Sequence, residues 1–142
     1  MSPRGSKRHP VSPADAGAYL AKASAWLQAA EENLDAGCWD VAAGSAVTAG
    51  INACDALSGA LLGQRAGGEH TEAVDLLNGA GDDGRQAARQ LWQLLRHKTP
   101  AQYDPAPMLE GDATKAVALE RRLVDRAAQV NARRRPSTGS DS

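Results

Sequence analysis

The sequence predicts an all-α domain, a five-helix antiparallel up-and-down bundle. Three observations predict it. Aromatics make up only 4% of the 142 residues and Phe is absent, with no β-branched runs, so nothing resembles a strand-rich core. Apolar residues recur instead at spacings of three and four. Alanine fills many of those positions; it is the best helix former and lets helices approach closely. The length suits one core, built from Ala, Leu and Val with the three Trp as large anchors.

Residues 1–12 (MSPRGSKRHPVS) are rich in Pro, Ser and basic side chains and read as a disordered basic tail. The helical domain spans 13–134. Ser12 is placed to cap its first helix, with Pro13 at the first helical position, where a missing N–H costs nothing. The stripe Leu20, Ala23, Leu27, Ala30, Leu34 carries that helix to Gly37. Trp39 or Asp40 opens the second helix, which runs to about Leu62 and stops at Gly63. Its apolar side holds Val47, Ile51, Cys54, Leu57 and Leu61. Gly44, Gly50 and Gly59 weaken it by about 1 kcal/mol each relative to Ala. Such residues suit close contact with neighbouring helices, which puts this helix at the bundle centre.

A short third helix covers His70–Asn78. A loop over 79–84 follows, in which Asp82 or Asp83 caps a fourth helix with stripe Ala88, Leu91, Leu94/Leu95 and Trp92 beside it. Lys98 extends its 87–91–94–98 row, and Pro100 stops it. Residues 99–111 form an irregular connection with three prolines; a loop that long is more often functional than a short one. Asp112 caps the last helix, 113–134, with stripe Ala116, Leu119, Leu123, Ala127, Val130 and a polar face of Arg121, Arg122 and Arg126. Residues 135–142 read as a second disordered tail.

The formal charge is −1, unevenly spread. Residues 13–130 hold ten Lys/Arg against sixteen Asp/Glu, while six basic residues sit near the ends. Bulk attraction to phosphate is therefore absent, and a nucleic-acid role has to rest on the tails or on a local patch. Cys38 and Cys54 have neither the number nor the spacing of a zinc site or disulfide framework. Both read as small core residues, reduced in a cytoplasmic protein. No apolar run follows the basic N-terminus, so no signal peptide is expected, and no stretch approaches a membrane span. P-loop, dinucleotide, zinc-protease and nucleophile-elbow motifs are missing, and the sequence implies no metal or cofactor.

The polar residues Asn52 and Asp55 interrupt the apolar second helix. Three positions apart, they lie on one face. A buried carboxylate is costly without a partner, and Arg65, His70, Lys98 and Tyr103 are the candidates. The pair fits a register-holding network between helices or a carboxylate that orients a basic side chain in a pocket. Arg65 and His70 have Arg-x4-His spacing. Such a pair can cleave RNA without metal, His moving a proton and Arg stabilising the phosphorane. They fit equally a surface Arg and a locally bonded His. Lys98 and Tyr103 share the same spacing, with Lys as a phosphate contact and Tyr as a stacking or hydrogen-bonding group, or with Tyr103 as a loop anchor.

The order of these features resembles the HEPN family, small helical domains of prokaryotic conflict systems. The resemblance covers roughly residues 14–132. It rests on Tyr19-Leu20…Trp26-Leu27 in the first helix and on Gly50-Ile51-Asn52-Ala53…Asp55-Ala56-Leu57 in the second. It continues through His70-Thr-Glu-Ala-Val, the run Leu94 to Asp104, and Ala116 and Ala127 in the last helix. Membership implies a bundle of four or five helices, often a homodimer. Many members are metal-independent RNases, often toxins, with an Arg-x4–6-His element at the dimer seam. Others bind RNA, nucleotides or a partner nucleotidyltransferase. Where that element aligns, this chain has Lys98 for Arg and Tyr103 for His. Lys lacks the planar two-pronged phosphate contact, and Tyr, with an ordinary pKa near 10, is a poor base at neutral pH.

The expectation is therefore a cytoplasmic accessory protein that binds RNA or nucleotide in a pocket of Asn52, Asp55, His70, Lys98 and Tyr103. Two alternatives stand beside it. One is a metal-independent endoribonuclease toxin using Arg65 and His70. The other is an interaction module pairing with a nucleotidyltransferase or antitoxin.

Overall fold

Helix α2 organises the structure because its side chains are small. The computed structural model describes residues 8–98 and 105–134. Among them are five helices: α1 (Pro13–Asp35), α2 (Trp39–Leu62), α3 (His70–Asn78), α4 (Gly81–Leu95) and α5 (Glu110–Arg134). Two short strands, β1 (Arg8–Pro10) and β2 (Gln64–Ala66), complete an all-α bundle with a small antiparallel ribbon. α2 packs against all four other helices. Ala42, Ala43, Ala46, Ala49, Ala53 and Ala56 along it are fully buried. Gly50 lies against Leu94 and Leu123, and Gly59 against Val11 and Ala16, each where a Cβ would collide. Gly44 has open space, so only two of the three glycines mark a close approach.

Ser12 caps α1 as its position suggests. Its Oγ accepts from the Asp15 N–H at 3.0 Å, with Pro13 at the start of the helix. Gly63 ends α2 in the left-handed region, φ 69°, which glycine adopts without steric cost. The α3–α4 connection is much tighter than the sequence suggests. The Gly79 and Ala80 N–H groups donate to Leu76 and Leu77 carbonyls, and α4 begins at Gly81. Asp82 and Asp83 thus lie inside the first turn of α4, where the helix dipole favours carboxylates, and neither caps it. Likewise α5 starts at Glu110, so Asp112 sits in its first turn. The preceding segment is tied down by the Met108 N–H, which donates to Asp40 Oδ1 at 3.1 Å. α4 ends at Leu95, and Pro100 lies outside the described residues.

The core is Ala, Leu and Val, with Leu57, Leu77, Leu91, Leu94 and Leu123 its largest fully buried apolar side chains. The tryptophans are not its anchors. Trp26 is 43% exposed and Trp92 52%, while Trp39 packs at the edge. Cys54 is buried as expected, but Cys38 is exposed at the start of α2. Residues 8–12, read from composition as tail, have a place in the fold. β1 pairs with β2 in the register Arg8↔Ala66, His9↔Arg65, Pro10↔Gln64, and Val11 is buried. Three residues of backbone pairing and one apolar contact leave little signal in composition.

The tight α3–α4 turn generates a test. A Cβ on Gly84 would collide with the backbone carbonyl of Leu77 and come within 2.6 Å of Ala80 Cβ. A backbone atom cannot swing aside as a side chain can. Gly84→Ala gains about 1 kcal/mol of helix propensity but is expected to destabilise on balance by about 1–2 kcal/mol. Thermal unfolding followed by circular dichroism reads this as a lower Tm; an unchanged or higher Tm contradicts it.

Candidate functional site

Four of the residues singled out by sequence fall into two pairs, Asp55 with Arg65 and His70 with Lys98. β2 supplies Arg65 of the first pair. Strand pairing with β1 sets Arg65 opposite His9. The Arg65 guanidinium lies over the Tyr19 ring, 5.9 Å from its centroid, and its Nη1 donates to the Ala66 carbonyl at 3.3 Å. Such a cation–π contact contributes about 0.5–1 kcal/mol where exposed. Arg65 is also the cation that acts on Asp55. The Asp55 carboxyl is pushed up to about 6 by burial, against the opposing charge of Arg65.

Asn52 takes no part in the first pair. Its Nδ2 donates to the Thr48 carbonyl at 3.0 Å, one turn back on its own helix. Asn52 and Asp55 share a face of α2 but not a common partner among the described residues. Ser58 Oγ donates to the Asp55 backbone carbonyl at 3.4 Å. The tie between α2 and α5 comes from a residue not picked out in the sequence. Buried Asn131 donates through Nδ2 to Ala56 O at 3.3 Å and Ala127 O at 2.8 Å.

The second pair is His70 and Lys98. Burial lowers the His70 pKa, and the nearby Lys98 charge lowers it further. The charge that acts on His70 is that of Lys98, not Arg65. Arg65 and His70, though correctly spaced in sequence, are engaged with different neighbours. Tyr103 lies outside the described residues. Among the described residues no group of three or more His, Cys, Asp or Glu is arranged to hold a metal ion. No helix there is long and apolar enough to cross a membrane.

The most unusual titratable group lies elsewhere, on α5. Glu120 is fully buried, and neither carboxyl oxygen has a hydrogen-bond partner. Its pKa is raised to about 8, chiefly by burial, with Glu31 and Asp125 adding to the rise and Arg121 opposing it. Arg121 itself is engaged by Glu31, its Nε donating at 3.0 Å to Oε2. A signal existed in the sequence, because Glu120 lies on the 116–120–123–127 row of α5, between positions that are all buried.

A carboxyl whose pKa is higher folded than unfolded stabilises the fold only while protonated. For Glu120 that contribution is complete below the ordinary carboxyl value of 4.5 and is lost as pH rises through about 8. Glu120→Gln keeps the shape and removes the titration. The Tm of this variant is expected to exceed that of the wild type at pH 9, with the gap closing toward pH 5. A pH-independent gap contradicts the assignment.

No family model matches the chain, and no curated protein is significantly similar to it.

Proposed function

We propose that the chain is a HEPN-like accessory protein of a conflict system that binds RNA or a nucleotide without cutting it. One observation carries the reading. Lys98 lies close enough to His70 to depress its pKa, and neither side chain has an anionic partner among the described residues. A lysine ammonium beside a half-buried imidazole, with no internal carboxylate on either, suits an external anion such as phosphate. In this reading Lys98 contacts the phosphate, His70 donates or accepts a hydrogen bond, and the charge of Arg65 lies at the edge, balanced by Asp55. The expected homodimer, the cytoplasmic setting and a nucleotidyltransferase or antitoxin partner belong to the same proposal through the resemblance alone.

The non-catalytic side of the reading draws support from Arg65. A metal-independent RNase pair works with its arginine and histidine on one phosphate. Here the Arg65 guanidinium lies over the Tyr19 ring and its charge acts on Asp55, while the charge acting on His70 is that of Lys98.

Fluorescence anisotropy with a labelled single-stranded oligouridylate, and with ATP as competitor, tests binding at low salt. Lys98→Ala is expected to weaken binding about tenfold, the size of one charge-assisted hydrogen bond, and to leave Tm nearly unchanged. Unaltered affinity contradicts the reading, and so does unfolding, which makes Lys98 a structural residue. Incubation with tRNA in EDTA is expected to leave the tRNA intact. Cleavage that disappears in His70→Ala favours the endoribonuclease alternative through Arg65 and His70.

A further inference from the structure

The outer face of α4 carries a row of side chains that neither pair uses. Arg85, Arg89, Trp92 and Arg96 are spaced at four, three and four residues. On a helix they fall within about 60° of the circumference and span about 16 Å along the axis. All four are exposed, while Ala87, Ala88, Leu91 and Leu94 hold the other side of the helix in the core. Trp92 is 52% exposed, a large aromatic surface left in solvent between arginines.

Two open depressions lie along this row. A groove of about 320 Å³ between α3 and α4 is lined by Val74, Asn78, Arg85, Ala88, Arg89 and Trp92. A second cleft of about 530 Å³ begins at Arg96 and continues past His97 to Lys115, with Asp112 its acidic group. Nearby carboxylates are largely committed elsewhere. Asp83 is engaged by Arg126 at 3.1 Å and Arg133 at 2.6 Å, and its pKa is lowered accordingly. Asp82 pairs with Arg85 across an exposed contact, which solvent screens to little net value. Arg89 and Arg96 make no ion pair among the described residues.

We propose that this face is a track for single-stranded nucleic acid, with a base stacked on Trp92 and phosphates held by Arg89 and Arg96. The charge pattern favours this occupant. Alternating guanidinium and indole groups match a backbone of phosphates with bases attached, since every base offers a π-face and arginine grips phosphate with two parallel donors. The acidic balance of the remaining helical domain leaves this strip as a local basic patch. The row also runs toward Lys98, two residues beyond Arg96. The inference rests on the reading above for the class of ligand, but it stands on different residues.

The experiment compares wild type, Trp92→Ala, Trp92→Phe, Arg89→Ala and Lys98→Ala against labelled oligouridylate, oligothymidylate and duplex RNA, with heparin as a control polyanion. Circular dichroism checks that each variant is folded. Single strands of either sugar are expected to bind more tightly than duplex. Trp92→Ala should lose about tenfold or more in affinity, and Trp92→Phe most of that loss should be spared. Arg89→Ala should reduce the slope of log affinity against log salt by about 0.7, one phosphate contact fewer. Wild-type affinities for duplex and heparin that equal those for single strands overturn the stacking track. Binding unchanged in both Trp92→Ala and Arg89→Ala overturns it as well. If Lys98→Ala alone weakens binding, the track fails and the His70–Lys98 reading stands. If only the α4 variants weaken it, the track stands and that reading fails. No binding by the wild type overturns both.

Discussion

Close approach to α2 is the constraint on which the other contacts depend. Helices whose facing residues are Ala and Gly pack with short interaxial distances, and at that range dispersion is gathered over many small contacts rather than a few large ones. Ala43, Ala46, Ala53 and Ala56 are fully buried on α2, and Ala23, Ala30, Ala116 and Ala127 are buried on α1 and α5. The geometry has little slack. Gly50 admits Leu94, and Gly59 admits Val11, only because neither has a side chain. With space this limited, large aromatic groups have no room at the centre. Trp26 and Trp92 lie at the surface, 43% and 52% exposed.

Polar ties then fix how the outer helices sit on this core. Arg126 reaches from α5 to Asp83 and Gln86 of α4, at 3.1 and 2.9 Å, and Arg133 shares Asp83. Asn131 bonds α5 to the α2 backbone, and Asp40 holds the segment before α5 through the Met108 N–H. Arg126 and Arg133 of α5 thus share one carboxylate of α4, while Arg89 and Arg96 on the outer side of α4 are exposed.

Most of the fold was legible in the sequence because helix signals are local. The Ser12-Pro13 cap, the Gly63 stop and the His70–Asn78 element each depend on a few adjacent residues. What was not legible depended on distant contacts. Residues 8–10 become a strand only because Gln64–Ala66 lies beside them. The site is a mixed case for the same reason. Asp55 is recognisable in the sequence as a carboxylate in an apolar helix. That Arg65 is the cation whose charge acts on it depends on where β2 runs, and that Asn52 bonds its own helix is visible only in the structure. Glu120 escaped because a single glutamate on a helix with many charges looks like surface. Its place on the row shared by Ala116, Leu123 and Ala127 was the available clue. Trp92 was noticed beside the α4 stripe, but its exposure follows from how tightly the small-residue core closes.

The pairing of β1 with β2 has a topological consequence. α1 and α2 are joined at one end by the three residues between Asp35 and Trp39, and at the other end the strands bring residues 8–10 onto 64–66. The helical hairpin is therefore clasped at both ends, and Val11 N–H donates to Gly63 O at 2.8 Å next to the clasp. Once the hairpin has formed, its two ends already lie together, so the strand contact has almost no further loop-closure entropy to overcome. Residues 8–66 can assemble early and largely from local contacts. The remaining helices then dock on a surface whose Arg65 is already in place.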